Sequence, residues 1–206
     1  RNALTMSATA PQFDLLVVGA GINGAGIARD AAGRGLKVLL VEQGDIAAAT
    51  SQWSTKLIHG GLRYLEQYEF RLVRESLAER EVVLHQAPHI VAPLSFVLPH
   101  EPHLRPAWML RAGLFLYDHL GQRETLPASF GVDLARTPWG AGLKPAFSKG
   151  FVYADARVDD ARLVLLNVKS ARELGAEVLV RTRFVAAKRD GDGWRATLEG
   201  AAGASR

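Results

Sequence analysis

The sequence contains no cysteine among its 206 residues. This absence excludes a disulfide-stapled scaffold, a thiolate nucleophile, an iron–sulfur cluster and a cysteine-based zinc finger, and it agrees with a reducing compartment. The sequence also has no block of five or six charges of one sign. Because nucleic-acid-binding tails usually carry such blocks, we expect no nucleic-acid partner.

Long hydrophobic runs are missing as well. The most apolar stretch, residues 107–120, is interrupted by Arg111, Asp118 and His119, whereas a membrane-spanning helix needs about 20 predominantly apolar residues. Residues 1–12 lack the apolar core of a signal peptide, so we predict a disordered lead there. The aromatic and basic residues of the 107–120 stretch leave two interpretations open: a core helix, or a helix that dips into a bilayer surface.

The composition is that of an ordinary globular protein, with 48% apolar residues, 22% charged residues and a formal net charge of +4. These values exclude a disordered or collagen-like chain. At roughly 100–200 residues per domain, the length predicts one or two domains. The mild positive charge suits a membrane surface, a nucleic acid or an anionic substrate, and the lack of charge blocks disfavours the nucleic acid.

Alternating strand and helix patterns predict an α/β fold. A continuous apolar run at Phe13–Gly19, a small-residue helix over Ile22–Arg34 and a second apolar run at Lys37–Val41 form a βαβ unit with buried parallel strands. A helix over 160–174 and a strand over Glu177–Val180 repeat the pattern near the other end of the chain. We therefore expect the parallel sheet to resume there after a long insertion.

The remaining patterns describe that insertion and the last residues. The two runs Phe184–Lys188 and Trp194–Glu199 flank a turn of Gly and Asp, which predicts an antiparallel hairpin. The elements predicted between the two parts of the sheet are a helix over Glu66–His85, a strand over Leu94–Leu98, a helix over Trp108–Leu120, a loop over 121–149 and a short strand over Phe151–Tyr153.

A glycine-rich turn separates the first strand from the first helix: Gly19-Ala20-Gly21-Ile22-Asn23-Gly24. Gly19 permits the tight turn, Gly21 lets a pyrophosphate approach the backbone, and Gly24 allows the helix to pack closely on the strand. Glu42 ends the second strand, where a carboxylate accepts hydrogen bonds from a ribose hydroxyl. The motif predicts a dinucleotide with its phosphates on the helix N-terminus, and it does not separate NAD from FAD.

A second group of polar residues runs from Thr50 to Tyr64, with the sequence TSQWSTKLIHGGLRY. Gly60 and Gly61 would let the backbone approach a flat ring, and Arg63 offers a planar guanidinium that suits phosphate or carboxylate. The residues alone also allow a simpler interpretation, in which Arg63 forms a surface salt bridge.

Together these segments resemble the FAD-dependent, quinone-linked glycerol-3-phosphate dehydrogenases. The resemblance extends from about Phe13 to about Glu199, and its most specific parts are SxKLIHGGLRYLE and VDDARL, which the family shares with its close oxidase relatives. The segments that carry it are GAGINGAGIARDAAGRGLKVLLVEQGD, STKLIHGGLRYLEQYEFRLVRESLAERE, APHIVAPLSFVLPH, RPAWMLRAGLFLYDHLG and GFVYADARVDDARLVLLN.

The resemblance implies a Rossmann-like FAD-binding domain with an inserted, substrate-facing α+β segment. Its implied division is a lead over residues 1–12, the FAD-binding domain over 13–87, the inserted segment over 88–157, and the FAD-binding domain resumed and truncated over 158–206. The implied cofactor-binding residues are Gly19, Gly21, Ile22, Asn23, Gly24, Glu42, Gln43, Thr50, Ser51, Ser54, Lys56, Leu57, His59 and Gly60. Arg63 and Tyr64 match the pair that lines the substrate pocket of the family. We assign no catalytic residue and expect no metal site.

The reaction implied by the resemblance is the oxidation of glycerol 3-phosphate to dihydroxyacetone phosphate, with a hydride passing to FAD and the electrons going on to ubiquinone. The expected location is cytoplasmic, peripheral on the inner membrane. Since chains of this family are much longer, we interpret this one as an N-terminal fragment. Two alternatives stay open: a glycerol-3-phosphate oxidase that reduces oxygen to peroxide, and a non-catalytic, truncated nucleotide-binding remnant.

Overall fold

The computed structural model describes residues 11–101, 103 and 105–200. These residues form two compact units, which we call the split unit (residues 11–54 and 160–200) and the continuous unit (residues 55–159). The α-helices and strands, in chain order, are β1 (Leu15–Val18), α1 (Ile22–Gly33), β2 (Val38–Val41), β3 (Leu57–Ile58), α2 (Phe70–Gln86), β4 (Val91–Pro99), α3 (Ala107–Leu120), β5 (Phe130–Asp133), β6 (Lys149–Val158), α4 (Asp160–Glu173), β7 (Glu177–Leu179), β8 (Thr182–Asp190) and β9 (Gly193–Gly200).

A three-stranded parallel sheet forms the middle of the split unit. Its strand order is β1-β2-β7, with Leu15 opposite Val38 and Leu39 opposite Glu177. All four residues of β2 are buried, because a parallel strand covered on both faces has no solvent side. The predicted βαβ unit and the predicted resumption of the sheet are both confirmed.

Two layers cover this sheet. On one face α1 and α4 pack together, mainly through Ala25, Ala28, Ala31, Ala32, Val164, Val168 and Ala171. On the other face the hairpin of β8 and β9 buries Leu198 against Leu39 and Val41. The hairpin was predicted from its turn residues, and the two strands pair as far as Asp190 opposite Gly193.

An antiparallel sheet organises the continuous unit. Its order is β3-β6-β4, and β5 also pairs with β6. The central strand β6 is ten residues long, whereas the sequence pattern predicted only Phe151–Tyr153, because Asp155 and Arg157 interrupt the apolar run. The edge strand β4 is also longer than predicted and contains Pro93. An edge strand tolerates proline, since one of its sides has no ladder partner.

The helix α2 begins later than predicted. The sequence pattern placed its start at Glu66, but a 3₁₀ helix occupies Leu62–Gln67. Tyr68 then adopts a left-handed conformation with φ of +60°, which separates the two helices. The 3₁₀ helix matters for the site, because it carries the Arg-Tyr pair.

The helix α3 has the predicted position, and its two faces differ in solvent exposure. Leu114 and Tyr117 are buried in the continuous unit, whereas Trp108 and Phe115 are exposed. One face of α3 is therefore a core face, and contact of the other face with a bilayer stays a prediction. None of the helices that the structure describes is both long and apolar enough to cross a membrane.

The boundaries of the two units differ from the predicted division. The continuous unit begins at Thr55 and not at residue 88, because β3 pairs with β6 and α2 packs against α3. The stretch 121–149, predicted to be a loop, contains β5 and a short 3₁₀ helix. The predicted lead, residues 1–12, lies outside the described residues except for its last two positions.

Candidate functional site

The glycine-rich turn joins β1 to α1 as the sequence predicts. Gly19 has a φ of +99°, a backbone conformation that side chains disfavour. At Gly24 an added Cβ would lie 1.9 Å from the carbonyl oxygen of Gly19, so only glycine allows this close approach of helix and strand. Gly21 is the N-cap residue of α1 and provides no side-chain cap. The turn thus presents backbone, and not side chains, at the start of the helix.

Glu42 anchors this turn to the end of β2. Its Oε2 accepts a hydrogen bond from the backbone N–H of Ala20 at 2.8 Å, and its Oε1 accepts one from Gly44 at 2.8 Å. Each carboxylate oxygen has two lone pairs, so both can still accept a bond from a ribose hydroxyl. The structure therefore assigns Glu42 a role in shaping the turn that the sequence analysis missed, and the ribose contact stays a prediction.

The hydroxyl residues after β2 approach the same turn within the split unit. Ser51 Oγ accepts a hydrogen bond from the backbone N–H of Ile22 at 2.9 Å, and it would lie 3.0 Å from a Cβ added at Gly21. Ser54 Oγ donates instead to Asp160 Oδ2 at 2.7 Å, at the start of α4. Thr50, Asn23 and Gln43 are exposed. Of the implied cofactor residues in this unit, the structure brings together the glycine turn, Glu42 and Ser51.

The remaining predicted residues belong to the continuous unit. Lys56 adopts a left-handed conformation with φ of +57°, and its carbonyl accepts the N–H of Val158 at 2.9 Å beside the β3–β6 pairing. Downstream, the chain lines a cavity of about 460 Å³. The residues around this cavity are Leu57, His59, Gly61, Leu62, Arg63, Tyr64, Gln67, Phe96, Tyr153 and Asp155. His59 and the Arg63-Tyr64 pair thus line one cavity, and their contacts with flavin and substrate stay predictions.

Arg63 forms no ion pair within the part of the chain that the structure describes. Its neighbour Glu66 pairs with Arg105, whose Nη2 donates to Glu66 Oε2 at 2.9 Å. Hydrogen bonds from Arg105 lower the pKa of Glu66, while Arg63 contributes only a weaker electrostatic effect. The surface salt bridge that the sequence allowed for Arg63 is therefore not formed, and its guanidinium is available at the edge of the cavity.

His59 has one ring nitrogen already committed. The backbone N–H of Gly61 donates to His59 Nδ1 at 3.0 Å. A nitrogen that accepts a hydrogen bond carries no proton, so the neutral ring carries its proton on Nε2. In this tautomer His59 offers its Nε2–H as a hydrogen-bond donor.

A family model described as FAD dependent oxidoreductase matches residues 14–205 of the sequence. The chain belongs to this family of FAD-dependent oxidoreductases. FAD is the cofactor of the family, and the choice between NAD and FAD that the glycine motif left open is settled in favour of FAD.

Individual relatives in the family are similar to a high degree. A glycerol-3-phosphate dehydrogenase of Pseudomonas aeruginosa is 66% identical over 187 residues, which are 91% of this chain and 36% of the relative. A D-erythritol 1-phosphate dehydrogenase of Brucella abortus is 61% identical over 181 residues, covering 88% of this chain and 36% of the relative. The chain thus spans about a third of the length of these relatives, and the resemblance to glycerol-3-phosphate dehydrogenases is confirmed.

The fold comparison leads to the same family. The crystal structure of a glycerol-3-phosphate dehydrogenase from Bacillus halodurans, complexed with FAD, superposes with a TM-score of 0.68 and 29% sequence identity. The superposition covers 95% of this chain and 32% of that one. The predicted α/β fold class with an FAD-binding domain is therefore confirmed.

The split unit fits the phosphates and the adenosine ribose of FAD. The turn between Gly19 and Gly24 is too tight for any side chain at Gly24, and its N-cap glycine adds no side chain at the helix start, where Ser51 Oγ accepts the N–H of Ile22. The positive end of the helix dipole favours a pyrophosphate there. Glu42 would bind the ribose, and Ser51 accepts a hydrogen bond from the start of α1. In the continuous unit, the residues from Lys56 to Gly60 are the predicted contacts of the flavin.

Three buried polar residues beside the cavity were not found by sequence reasoning. They are Arg80 on α2, Tyr117 on α3 and Asp155 on β6, and both Arg80 and Tyr117 donate hydrogen bonds to Asp155. The available signal was a charged residue, Asp155, which follows the apolar run of the strand and is itself buried. No group of side chains among the described residues has the arrangement of a metal site.

Proposed function

We propose that this chain is the cofactor- and substrate-binding part of a flavoprotein that oxidises glycerol 3-phosphate to dihydroxyacetone phosphate. The observation that carries this proposal is the guanidinium of Arg63, which lines a cavity and has no ion-pair partner among the described residues, in a chain of the FAD-dependent oxidoreductase family. The similarity to glycerol-3-phosphate dehydrogenases supports this choice of substrate.

The phosphate of the substrate would bind Arg63. A guanidinium donates two parallel hydrogen bonds to phosphate oxygens, which fixes the orientation of the ester as well as its charge. Tyr64 is 44% exposed beside it and adds a hydroxyl donor. The cavity volume of about 460 Å³ leaves room for a small phosphorylated alcohol together with part of a flavin ring.

Oxidation of the secondary alcohol removes a hydride from C2 and a proton from its hydroxyl, and FAD supplies the two-electron acceptor. In the arrangement that the structure shows, His59 Nδ1 accepts the N–H of Gly61, so a neutral ring has its Nε2–H placed to donate to a carbonyl or ring acceptor. We assign the proton transfer to no residue of this chain.

The electron acceptor in this proposal is a quinone, and the protein is peripheral on the cytoplasmic side of the inner membrane. The supporting feature is the exposed apolar face of α3, with Trp108 at 70% and Phe115 at 55% exposure. Aromatic side chains of this kind favour the interface of a bilayer. In the oxidase alternative, oxygen takes the electrons and peroxide forms in an amount equal to the substrate oxidised.

A longer polyol phosphate is a second candidate substrate. The observation in its favour is the 61% identity to a D-erythritol 1-phosphate dehydrogenase, which is close to the 66% identity to a glycerol-3-phosphate dehydrogenase. Both compounds would present a phosphate to Arg63 and a hydroxyl-bearing carbon to the flavin. Arg63 could therefore bind either substrate. The length of the substrate would then be read elsewhere in the protein.

The experiment that tests the proposal expresses the complete coding sequence containing this chain and measures dye reduction with glycerol 3-phosphate and with D-erythritol 1-phosphate. The proposal expects yellow protein and a higher kcat/KM for glycerol 3-phosphate. A higher kcat/KM for the erythritol ester would support the second candidate. Stoichiometric peroxide without dye or quinone would support the oxidase, and colourless, inactive protein would support the non-catalytic remnant.

A further inference from the structure

A buried polar network lies directly behind the turn formed by His59, Gly60 and Gly61. Its members are Arg80, with 3% exposure, Tyr117, with 3%, and Asp155, with 4%. Charged residues are rarely buried to this extent unless they are paired and hydrogen-bonded. The proposed function assigns no task to these three residues, although Asp155 lines the same cavity as Arg63.

The hydrogen bonds of the network converge on Asp155. Arg80 Nη1 donates to Asp155 Oδ1 at 2.5 Å. The Tyr117 hydroxyl donates to the same carboxylate, at 2.8 Å from Oδ1 and 3.1 Å from Oδ2. Burial raises the pKa of Asp155, and the bonds from Arg80 and Tyr117 oppose that effect.

The network connects to the turn through the Tyr117 hydroxyl. Because a carboxylate only accepts, the proton of the Tyr117 hydroxyl points to Asp155, and its oxygen is left to accept. It accepts the backbone N–H of Gly60 at 2.8 Å. Burial and the nearby Asp155 raise the pKa of Tyr117, so the phenol keeps the proton that this arrangement requires.

The turn is shaped to receive this bond. A Cβ added at Gly60 would lie 2.3 Å from Leu77 Cδ2 and 2.9 Å from the Tyr117 hydroxyl oxygen. The backbone of Gly60 therefore packs closely against Leu77 and Tyr117, with no space for a side chain. Gly61 has a φ of +72°, which favours glycine. Its N–H then holds the ring of His59. An error in the position of Gly60 would therefore move His59 and the start of the segment that carries Arg63.

We propose that Tyr117 and Asp155 are positioning residues, which act through the Gly60 amide to hold His59 and the following Arg63-Tyr64 segment in the geometry that binds flavin and substrate. The inference rests on the proposed function for its kinetic consequences. Its structural core, the control of the 59–61 turn by the Tyr117 hydroxyl, is independent of which substrate the protein uses.

The test is Tyr117→Phe in the FAD-loaded complete protein. This variant keeps the ring, which packs edge-on against Tyr153, and removes only the hydroxyl. Hydrogen exchange of a peptide covering residues 57–64 is expected to become about tenfold faster, the change that corresponds to one lost hydrogen bond. The visible absorption spectrum of bound FAD is expected to shift, and the KM for glycerol 3-phosphate to rise more than kcat falls.

The matched control is Leu114→Ala, on the same helix and 1% exposed. This variant removes buried apolar contacts and should lower Tm without changing the exchange of residues 57–64, the flavin spectrum or KM. If Leu114→Ala produced the same three changes as Tyr117→Phe, general loosening of the helix would explain them and the proposal would be wrong.

Two further results would overturn the proposal. One is unchanged exchange of residues 57–64 in Tyr117→Phe. The other is faster exchange with an unaltered flavin spectrum and unaltered KM, which would make the network merely structural. Failure of the proposed function is distinguishable, because a wild-type protein that does not oxidise glycerol 3-phosphate still reports on the turn through exchange and the flavin spectrum.

Discussion

The carboxylate of Glu42 accepts the backbone N–H of Ala20 across the mouth of the glycine-rich turn, with Oε2 and N separated by 2.8 Å. Ala20 is fully buried, so its amide cannot turn to water for a replacement. A residue predicted from its sequence position to bind ribose is thus also part of the framework of the phosphate-binding turn. Because of this double role, replacing Glu42 should change both the affinity for FAD and the stability of the apo-protein, and the two effects can be measured separately.

Glu42→Ala is expected to weaken FAD binding and to destabilise the apo-protein. The loss of a charge-assisted contact of about 1.5–3 kcal/mol corresponds to a Kd about ten- to a hundredfold higher. The unpaired Ala20 amide adds a loss of about 1–3 kcal/mol in the free energy of unfolding. FAD titration measures the first and urea unfolding of apo-protein the second. The control is Glu177→Ala, an exposed carboxylate on β7, and an unchanged Kd for Glu42→Ala would refute the ribose assignment.

Gly24→Ala is expected to prevent FAD binding and to destabilise the split unit. The new methyl group would lie 1.9 Å from the carbonyl oxygen of Gly19, and backbone on both sides must move. Overpacking of this kind costs about 1–3 kcal/mol. The control is Gly26→Ala on the same helix, where an added Cβ has no atom within 4 Å. That variant should gain about 0.5–1 kcal/mol, because alanine favours a helix interior. Equal thermal stability of the two variants would contradict the tight-turn argument.

Removal of FAD is expected to lower Tm, and NAD should not restore it. A ligand present at about a thousand times its Kd stabilises the folded state by about 4 kcal/mol. Thermal unfolding of holo-protein, stripped protein and stripped protein with FAD or NAD checks this directly. Formation of NADH from glycerol 3-phosphate, or a Tm restored by NAD alone, would show that the flavin assignment is wrong for this protein.

Arg63→Ala is expected to lower kcat/KM for glycerol 3-phosphate by about a hundredfold or more, which is at least roughly 2.7 kcal/mol of transition-state stabilisation. FAD content should stay normal, because the residue serves the substrate. Arg63→Lys keeps the charge but loses the bidentate geometry, so it should also be impaired. Steady-state kinetics on flavin-loaded protein provide the measurement.

The control for Arg63 is Arg71→Ala on α2. Arg71 forms an exposed ion pair with Glu75 on the same helix and lies outside the cavity. Loss of such a surface pair should leave kcat/KM unchanged. A wild-type kcat/KM in Arg63→Ala would show that Arg63 does not bind the substrate.

The sequence by itself determined the elements that depend on interactions between residues close together in the chain. Three elements could be predicted from a few neighbouring residues each, and the structure contains all three. They are the buried strand β2, the small-residue helix α1 and the hairpin turn at Gly191-Asp192. Likewise, the GxGxxG motif and the STKLIHGGLRY segment predicted two groups of candidate binding residues, because short spans of backbone and their glycines suffice for such a prediction.

Only the tertiary structure decided the features that depend on distant partners. The ten-residue β6 continues through Asp155 and Arg157 because its ladder with β4 supplies hydrogen bonds that no local pattern reveals. The anchoring of the glycine turn by Glu42, and the support of Gly60 by Tyr117, join residues far apart in sequence. Burial makes such polar groups require partners, and the fold alone determines which partner is within reach.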